Sequence, residues 1–170
     1  MKIIKTIPTD WPSIKKGVFD VETSVFEEDI RYEDEDFESF ERDNAMNYIV
    51  KDDFIVTDAT DLGDSKIIGY LMSCPIENDE RYEDDEHFGR NDTIHVESMA
   101  LSPDCQGRGI GRALFEKFLE DAKNVGFKRA VLDATSPQMI GLASKFGFQK
   151  LKFHEEWQAG RSSWFMEKIF

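Results

Sequence analysis

The chain has 170 residues, of which 40% are apolar and 33% are charged, and its formal net charge is −14. The composition is typical of a globular protein and the length of one ordinary domain, so we treat residues 1–170 as a single domain. Disorder is excluded by this composition, and no run of 18 apolar residues indicates a membrane span. Two cysteines fit neither a disulfide framework nor a metal site, and the N-terminus lacks a signal-peptide pattern, so we expect a cytoplasmic protein without a metal.

The negative charge is concentrated in two segments that both contain Arg-Tyr-Glu-Asp. Residues 27–43 carry a net charge of −8 and residues 77–86 a net charge of −6, which together equal the charge of the whole chain. Such segments repel polyanions, so nucleic acid is not an expected partner. They either attract a cationic partner or form solvated loops that keep the protein soluble, and the sequence leaves both alternatives open.

The first 72 residues predict a strand, two helices and a pair of strands. Asp10 before Trp11-Pro12 is typical of a helix start, and apolar residues then recur every three or four positions as far as Val25. The expected elements are a strand at 2–7, this helix, a short helix containing Phe37, Phe40 and Met46, and strands at 54–56 and 66–72 joined by a turn-rich connection.

The second half of the chain alternates between strand and helix patterns. Thr93–Leu101 predicts a strand, and a helical apolar face follows Gly109 and stops near Gly126. The other expected elements are a strand at 130–132, a helix opened by Ser136-Pro137 and closed by Gly147, and two strands at 148–157 and 163–170. The resulting order, βααβββαβαββ, predicts one α/β domain with a mixed sheet.

The most specific motif, Gln106-Gly107-Arg108-Gly109-Ile110-Gly111, lies between a predicted strand and a predicted helix. Its glycines allow a tight turn and close approach of the backbone to a ligand, and its N–H groups with the helix N-terminus suit a diphosphate. A tight connection without a ligand has the same pattern. Arg112-Ala113 after the last glycine excludes a P-loop, and the position after the fourth or fifth strand excludes a dinucleotide fold.

The segment VESMALSPDCQGRGIGRALFEKFLEDAKNVGF, with VLDAT and SKFGF after it, resembles the GNAT superfamily of N-acetyltransferases over residues 93–150. The resemblance implies a mostly antiparallel mixed sheet flanked by helices and an enzyme that uses acetyl-CoA as co-substrate. It also implies that the acetyl group is transferred to an amine.

The resemblance implies a coenzyme site made largely of main chain. The pyrophosphate would lie on the amides of Gly107–Gly111, with Arg112 opening the helix, and the pantetheine arm would pair with the strand at Met99, where a backbone N–H of Met99 or Leu101 polarises the thioester carbonyl. Ser136 stands where relatives often have an asparagine. The full expected set is Met99, Ala100, Leu101, Gln106, Gly107, Arg108, Gly109, Ile110, Gly111, Arg112 and Ser136.

Glu97 falls where many relatives have a glutamate, which makes it the candidate general base. An attacking amine must first lose a proton, and its pKa in water is about 10, so a nearby carboxylate can accept this proton. The alternative for Glu97 is an exposed or ion-paired carboxylate. His95, on the same face of the strand, is a second candidate base whose alternative is a surface histidine.

The second family motif is incomplete in this chain. Relatives often have a tyrosine four residues before the Gly-Phe pair, which protonates the leaving thiolate, and this chain has Ala143 there. Ser144, a tyrosine from elsewhere in the chain or water could replace it, or catalysis could have been lost. Cys105, beside the glycine-rich turn, is expected to be a packed thiol rather than a nucleophile.

The acidic segments lie where the resemblance expects the acceptor, so we expect a cationic amine such as a polyamine. Two alternatives are an acetyltransferase of protein lysines or N-termini, and a non-catalytic CoA-binding acidic protein that binds a basic partner. The sequence does not decide between a monomer and a homodimer.

Overall fold

The three-dimensional structure is a computed structural model that describes residues 1–28, 31–52, 66–82, 91–158 and 160–170. Three α-helices lie within these residues: α1 (Trp11–Val25), α2 (Ile110–Val125) and α3 (Pro137–Lys145). The strands are β1 (Lys2–Lys5), β2 (Tyr48–Lys51), β3 (Ile67–Pro75), β4 (Thr93–Leu101), β5 (Arg129–Ala134), β6 (Gln149–Gln158) and β7 (Arg161–Ile169). No helix of the described residues is both long enough and apolar enough to cross a membrane.

The seven strands form one mixed sheet in the order β1-β2-β3-β4-β5-β7-β6. Among the strand pairs whose register is described, β4 and β5 are parallel, while β1–β2, β2–β3, β5–β7 and β6–β7 are antiparallel. The parallel pair is connected through α2, as a parallel crossover requires. The predicted α/β class with a mixed, mostly antiparallel sheet is confirmed.

The chain divides into two compact units, of which the first comprises residues 1–72 and 98–115. Its core forms around Trp11, whose indole stacks on Phe37 and Phe40 at centroid distances of 5.7 and 4.8 Å. The apolar face predicted for α1 is buried here, together with Tyr70 and Ala100 from the strands.

The second unit comprises residues 73–97 and 116–170. One of its core clusters contains Ile76, Tyr82, Val131 and Phe165, and Trp157 packs against it. The apolar pattern of residues 148–157 favours a buried Phe153, but 46% of this residue is exposed on β6, the last strand of the sheet. Its ring instead lies 5.0 Å from that of Trp164.

Within the first acidic segment, Asp34–Glu41 forms a 3-10 helix where the spacing predicts a short second helix that reaches Met46. Phe37 and Phe40 lie on this helix and are buried, but Met46 lies beyond it. The strand β2 follows, with all four residues buried, and was not predicted because its short apolar run is flanked by polar residues. The strand predicted at 54–56 and its connection lie outside the described residues.

Candidate active site

The glycine-rich turn connects β4 to α2 within the first unit. Two of its glycines have a left-handed backbone, with φ of 74° at Gly107 and 80° at Gly109, which a side chain would strain. A Cβ atom built on either residue meets no described atom within 4 Å. The turn is therefore both shaped by glycine and open on the side where a ligand would approach.

Local hydrogen bonds fix the shape of this turn. The Cys105 amide donates to Ser102 O at 2.8 Å, and the Gln106 side-chain Nε2 donates to Leu101 O at 3.0 Å. Cys105 and Ile110 are buried on either side of the exposed residues 106–109 and anchor the turn in the unit. The burial of Cys105 agrees with its prediction as a packed thiol.

The N-terminus of α2 opens onto the same turn. The Ala113 amide donates to Gly109 O at 3.0 Å, so the amides of Ile110, Gly111 and Arg112 have no acceptor within the helix. The first turn contains no acidic residue, and the exposed Arg112 adds a positive charge where the helix dipole is already positive. This arrangement favours a bound anion, and a diphosphate fits the donors present.

The last residues of β4 present an edge suited to a strand-like ligand. Ala100 O lies 2.9 Å from a Cβ atom built on Gly69 of β3, and the Ser102 amide donates to Ile68 O at 2.9 Å. Successive backbone groups of a strand point to opposite edges, so the N–H groups of Met99 and Leu101 point away from β3.

Within the described residues, the register of β4 with β5 extends no further than Val96. The side chains of Met99 and Leu101 lie near the start of α2, at 3.3 and 3.2 Å from a Cβ atom built on Gly111. The edge of β4 that faces away from β3 therefore ends next to the glycine-rich turn.

Glu97 and His95, the two candidate bases, occupy different environments on β4. Glu97 is partly buried and directly precedes Ser98 and Met99. The expectation of a surface histidine at 95 is wrong, because this residue is only 2% exposed. Its Nδ1 lies 3.0 Å from Asp79 Oδ2, and its Nε2 lies 3.1 Å from the Tyr82 hydroxyl. His95 is thus part of a buried network.

The sequence did not predict this network, which lies in the second unit. Asp79 belongs to the second acidic segment but is buried, and Arg81 donates to both of its oxygens, from Nε at 2.8 Å and from Nη2 at 2.6 Å. Burial alone would raise the pKa of Asp79, but hydrogen bonds from His95 and Arg81 outweigh it and hold this pKa well below its usual range. The network continues from Tyr82, whose hydroxyl donates to Asp133.

Cys74, Asp79 and His95 place their ligand atoms within 4.8 Å of one another, and all three are buried. Such a set could hold a metal ion. Arg81, however, bridges both oxygens of Asp79, and its charge competes with that of a metal cation. We assign no metal to this cluster.

The first unit contains a second buried network. Glu22 accepts hydrogen bonds from the Tyr32 amide at 2.8 Å and from the Tyr70 hydroxyl, which also lies 3.0 Å from Ser98 Oγ on β4. Burial raises the pKa of Glu22, and burial together with the nearby Glu22 raises that of Tyr70. These hydrogen bonds fix Ser98 between the candidate base and Met99.

Ser136 and Ala143 both have structural roles in the helix α3, Ser136 as its N-cap and Ala143 as a buried residue. Ser136 Oγ caps the helix by accepting from the Met139 amide at 3.1 Å. Ala143 is fully buried, so a tyrosine at this position would have to displace the surrounding core, whereas Ser144 is exposed. The resemblance expects a tyrosine at position 143, but the packing around Ala143 leaves no room for a tyrosine side chain.

Comparisons with known proteins agree with this geometry. The model of the acetyltransferase (GNAT) family matches residues 14–148. A comparison with curated protein sequences finds no match.

Three solved structures show the same fold at low identity. The ribosomal-protein-S18-alanine N-acetyltransferase of Escherichia coli has 16% identity and a TM-score of 0.70, covering 99% of this chain and 92% of its own. The phosphinothricin acetyltransferase of Sinorhizobium meliloti, solved with AcCoA, has 18% identity and a TM-score of 0.70, covering 99% and 88%. The mosquito protein named arylalkylamine N-acetyltransferase like 5b has 14% identity and a TM-score of 0.69, and the match covers 99% of this chain and 100% of the mosquito chain.

Proposed function

This chain belongs to the acetyltransferase (GNAT) family and is an acetyl-CoA-dependent N-acetyltransferase, and we propose that its acceptor is a primary amine on a cationic small molecule such as a polyamine. The acidic 3-10 helix supports a cationic acceptor. We further propose a cytoplasmic location, since Cys74 and Cys105 are both buried and form no disulfide with each other.

In the proposed coenzyme site, the diphosphate accepts hydrogen bonds from the amides between Gly107 and Arg112, and Arg108 and Arg112 neutralise its charge. The open space beside Gly107 and Gly109 and the unsatisfied amides of the first helical turn support this assignment. The pantetheine arm pairs along the outer edge of β4. The outward N–H groups of Met99 and Leu101 are suited to polarise the thioester carbonyl and to stabilise the oxyanion.

In the proposed mechanism, Glu97 accepts a proton from the acceptor ammonium. The neutral nitrogen then attacks the thioester carbon, and the nitrogen of the tetrahedral intermediate loses its extra proton to solvent as the C–S bond breaks to release the coenzyme thiolate. A thiol has a pKa of about 8.5 in water, so solvent can protonate this leaving group without the tyrosine that is absent at Ala143. The position of Glu97 on β4, two residues before Met99, supports its role as the base.

The preference for a cation rests on one observation, the way in which the first acidic segment is anchored. Phe37 and Phe40 fix the 3-10 helix Asp34–Glu41 in the core of the first unit, and its acidic side chains remain exposed. Lys15 and Arg42 neutralise Asp34 and Glu38, at 2.6 and 2.7 Å. The negative surface is therefore held in place, and a fixed array of charge attracts cations to a defined location.

A panel of acceptors tests this proposal by the release of coenzyme thiol. Spermidine, a singly charged arylalkylamine and a basic peptide would be compared at low and high salt. We expect Glu35→Gln combined with Glu41→Gln to lower kcat/KM for spermidine severalfold at low salt, and the loss to vanish at high salt.

The matched control is Glu116→Gln combined with Glu120→Gln, which removes the same charge from exposed positions of α2. Equal losses in both double variants would show that net charge, not the anchored segment, is responsible. Turnover restricted to the basic peptide would instead favour a protein lysine or N-terminal acetyltransferase. Coenzyme binding without turnover of any acceptor would favour a CoA-binding protein that binds a basic partner.

A further inference from the structure

The strand β6 is the last strand of the sheet, and it pairs with β7 on one side and with no described strand on the other. Residues 149–153 are all exposed. Two of them are large apolar residues, Leu151 with 44% and Phe153 with 46% of the residue exposed. A strand edge of ten residues with exposed apolar side chains is a template for pairing with a further strand.

The exposed Phe153 belongs to an aromatic surface that extends onto β7. Its ring lies 5.0 Å from that of Trp164, which is itself only partly buried. Nζ of Lys150 lies 4.5 Å from the centroid of the same indole ring. The edge therefore combines an apolar contact surface with a positive charge held beside it.

The charges of β6 are separated along the strand. Lys150 and Lys152 precede Phe153, whereas Glu155 and Glu156 follow it, and all four are exposed. Lys152, Glu155 and Glu156 form no ion pair with a described residue. Lysine on an edge strand opposes pairing with most other strands, so a strand that pairs here must place carboxylates opposite the lysines.

A second copy of β6 meets this requirement when it runs antiparallel. Rotation about a two-fold axis at Phe153 places Lys150 of each copy opposite Glu156 of the other, and it brings the two Phe153 side chains together. Parallel pairing in the same register would instead place lysine opposite lysine and glutamate opposite glutamate. The register of β6 with β7 is regular over residues 152–154, between two shifts, so the strand is undistorted where the axis would pass.

From this self-complementary pattern we propose that the protein is a homodimer in which β6 pairs antiparallel with β6 of a second copy, about a two-fold axis at Phe153. Both copies use the same surface, so the interface is closed and association stops at the dimer. The pairing also covers the free edge that each copy exposes alone. The inference does not depend on the acceptor in the proposed function.

Sedimentation velocity of the full chain at micromolar concentrations tests the dimer. We expect the wild type to have twice the chain mass of 19.7 kDa. Lys150→Glu combined with Lys152→Glu makes all four strand charges negative, and Glu155→Lys combined with Glu156→Lys makes them all positive. Each opposed pair occurs twice in the interface, so we expect the Kd of either variant alone to rise about tenfold or more. An equimolar mixture of the two variants should form the dimer again, because an acidic strand then faces a basic one.

The matched control is Glu116→Lys combined with Glu120→Lys, which reverses two charges at exposed positions of α2 and should leave the Kd of the dimer unchanged. A monomeric wild type throughout the micromolar range would overturn the inference. It would also be overturned if both β6 variants dimerised alone as the wild type does, since the dimer would then use another surface. A mixture that stays monomeric would contradict the antiparallel pairing.

Hydrogen exchange of the wild type decides the question if a charge-reversal variant does not fold. Amides of residues 150–156 on the free edge should exchange more slowly at concentrations at which the dimer forms than after dilution. Exchange of these amides at the same rate in both samples would overturn the inference.

Discussion

Replacement of Gly109 by alanine should have two effects, a loss of stability from backbone strain and a loss of affinity for acetyl-CoA. The left-handed φ of 80° makes any side chain cost about 1–2 kcal/mol of stability, and a Cβ atom there meets no described atom, so we expect no additional clash in the protein itself. In a chain of this size, each kcal/mol of lost stability lowers Tm by about 2–4 °C. The new methyl group would occupy the space that the diphosphate needs.

Gly126 provides the matched control for this variant. It has a φ of 115°, a Cβ atom there also meets nothing within 4 Å, and it closes α2 far along the chain from the turn. Gly126→Ala should therefore lower Tm by a similar amount without affecting the coenzyme.

Thermal unfolding with and without acetyl-CoA distinguishes the two effects. At 100 times its Kd, acetyl-CoA should stabilise the wild type and Gly126→Ala by about 2.7 kcal/mol, and a tenfold loss of affinity in Gly109→Ala would leave about 1.4 kcal/mol at the same concentration. If Gly109→Ala kept the full coenzyme-induced shift, close backbone approach at this residue would not contribute to binding. The turn would then be a structural connection only.

Two further predictions concern carboxylates. Glu97→Gln should lower kcat about 10²- to 10⁴-fold with acetyl-CoA affinity unchanged, and a near-normal rate across the pH range would exclude Glu97 as the base. Burial raises the pKa of Glu22 above its ordinary value of 4.5, so the stability that its protonated form contributes is present below pH 4.5 and is lost as pH rises through the raised value. Glu22→Gln should therefore match the wild type near pH 4 and exceed it in stability near pH 8 by urea unfolding, and parallel pH profiles for the two proteins would contradict this.

The shape of the glycine-rich turn was predictable because positive φ selects glycine. A main-chain site for a diphosphate needs glycine where φ is positive and a helix start directly after it, and both requirements leave a trace at Gly107 and Gly109. The strand before the turn and the helix after it have long, regular apolar periods. The bounds predicted for β4 therefore agree with those of the structure.

The buried networks were not predictable, because burial of a charged residue leaves no local pattern. Asp79 lies in a run of acids that suggests a solvated loop, yet it is buried by partners from distant parts of the chain. His95 alternates with apolar neighbours as a surface residue would. Only the strand register and the position of Tyr82 bring His95 and Asp133 into one chain of hydrogen bonds.

Because backbone N–H groups alternate in direction along β4, neighbouring positions of this strand should differ in the substitutions that they tolerate. Ala100 belongs to the core of the first unit, whereas Met99 and Leu101 direct their amides to the outer edge of the strand. Most substitutions at 99 and 101 preserve those amides, so a mutational scan should find these two positions permissive for activity. Proline is the exception, because it deletes the N–H itself. A scan in which proline alone abolishes transfer at 99 or 101, while Ala100 tolerates no large residue, would reveal the backbone character of the site without any bound coenzyme.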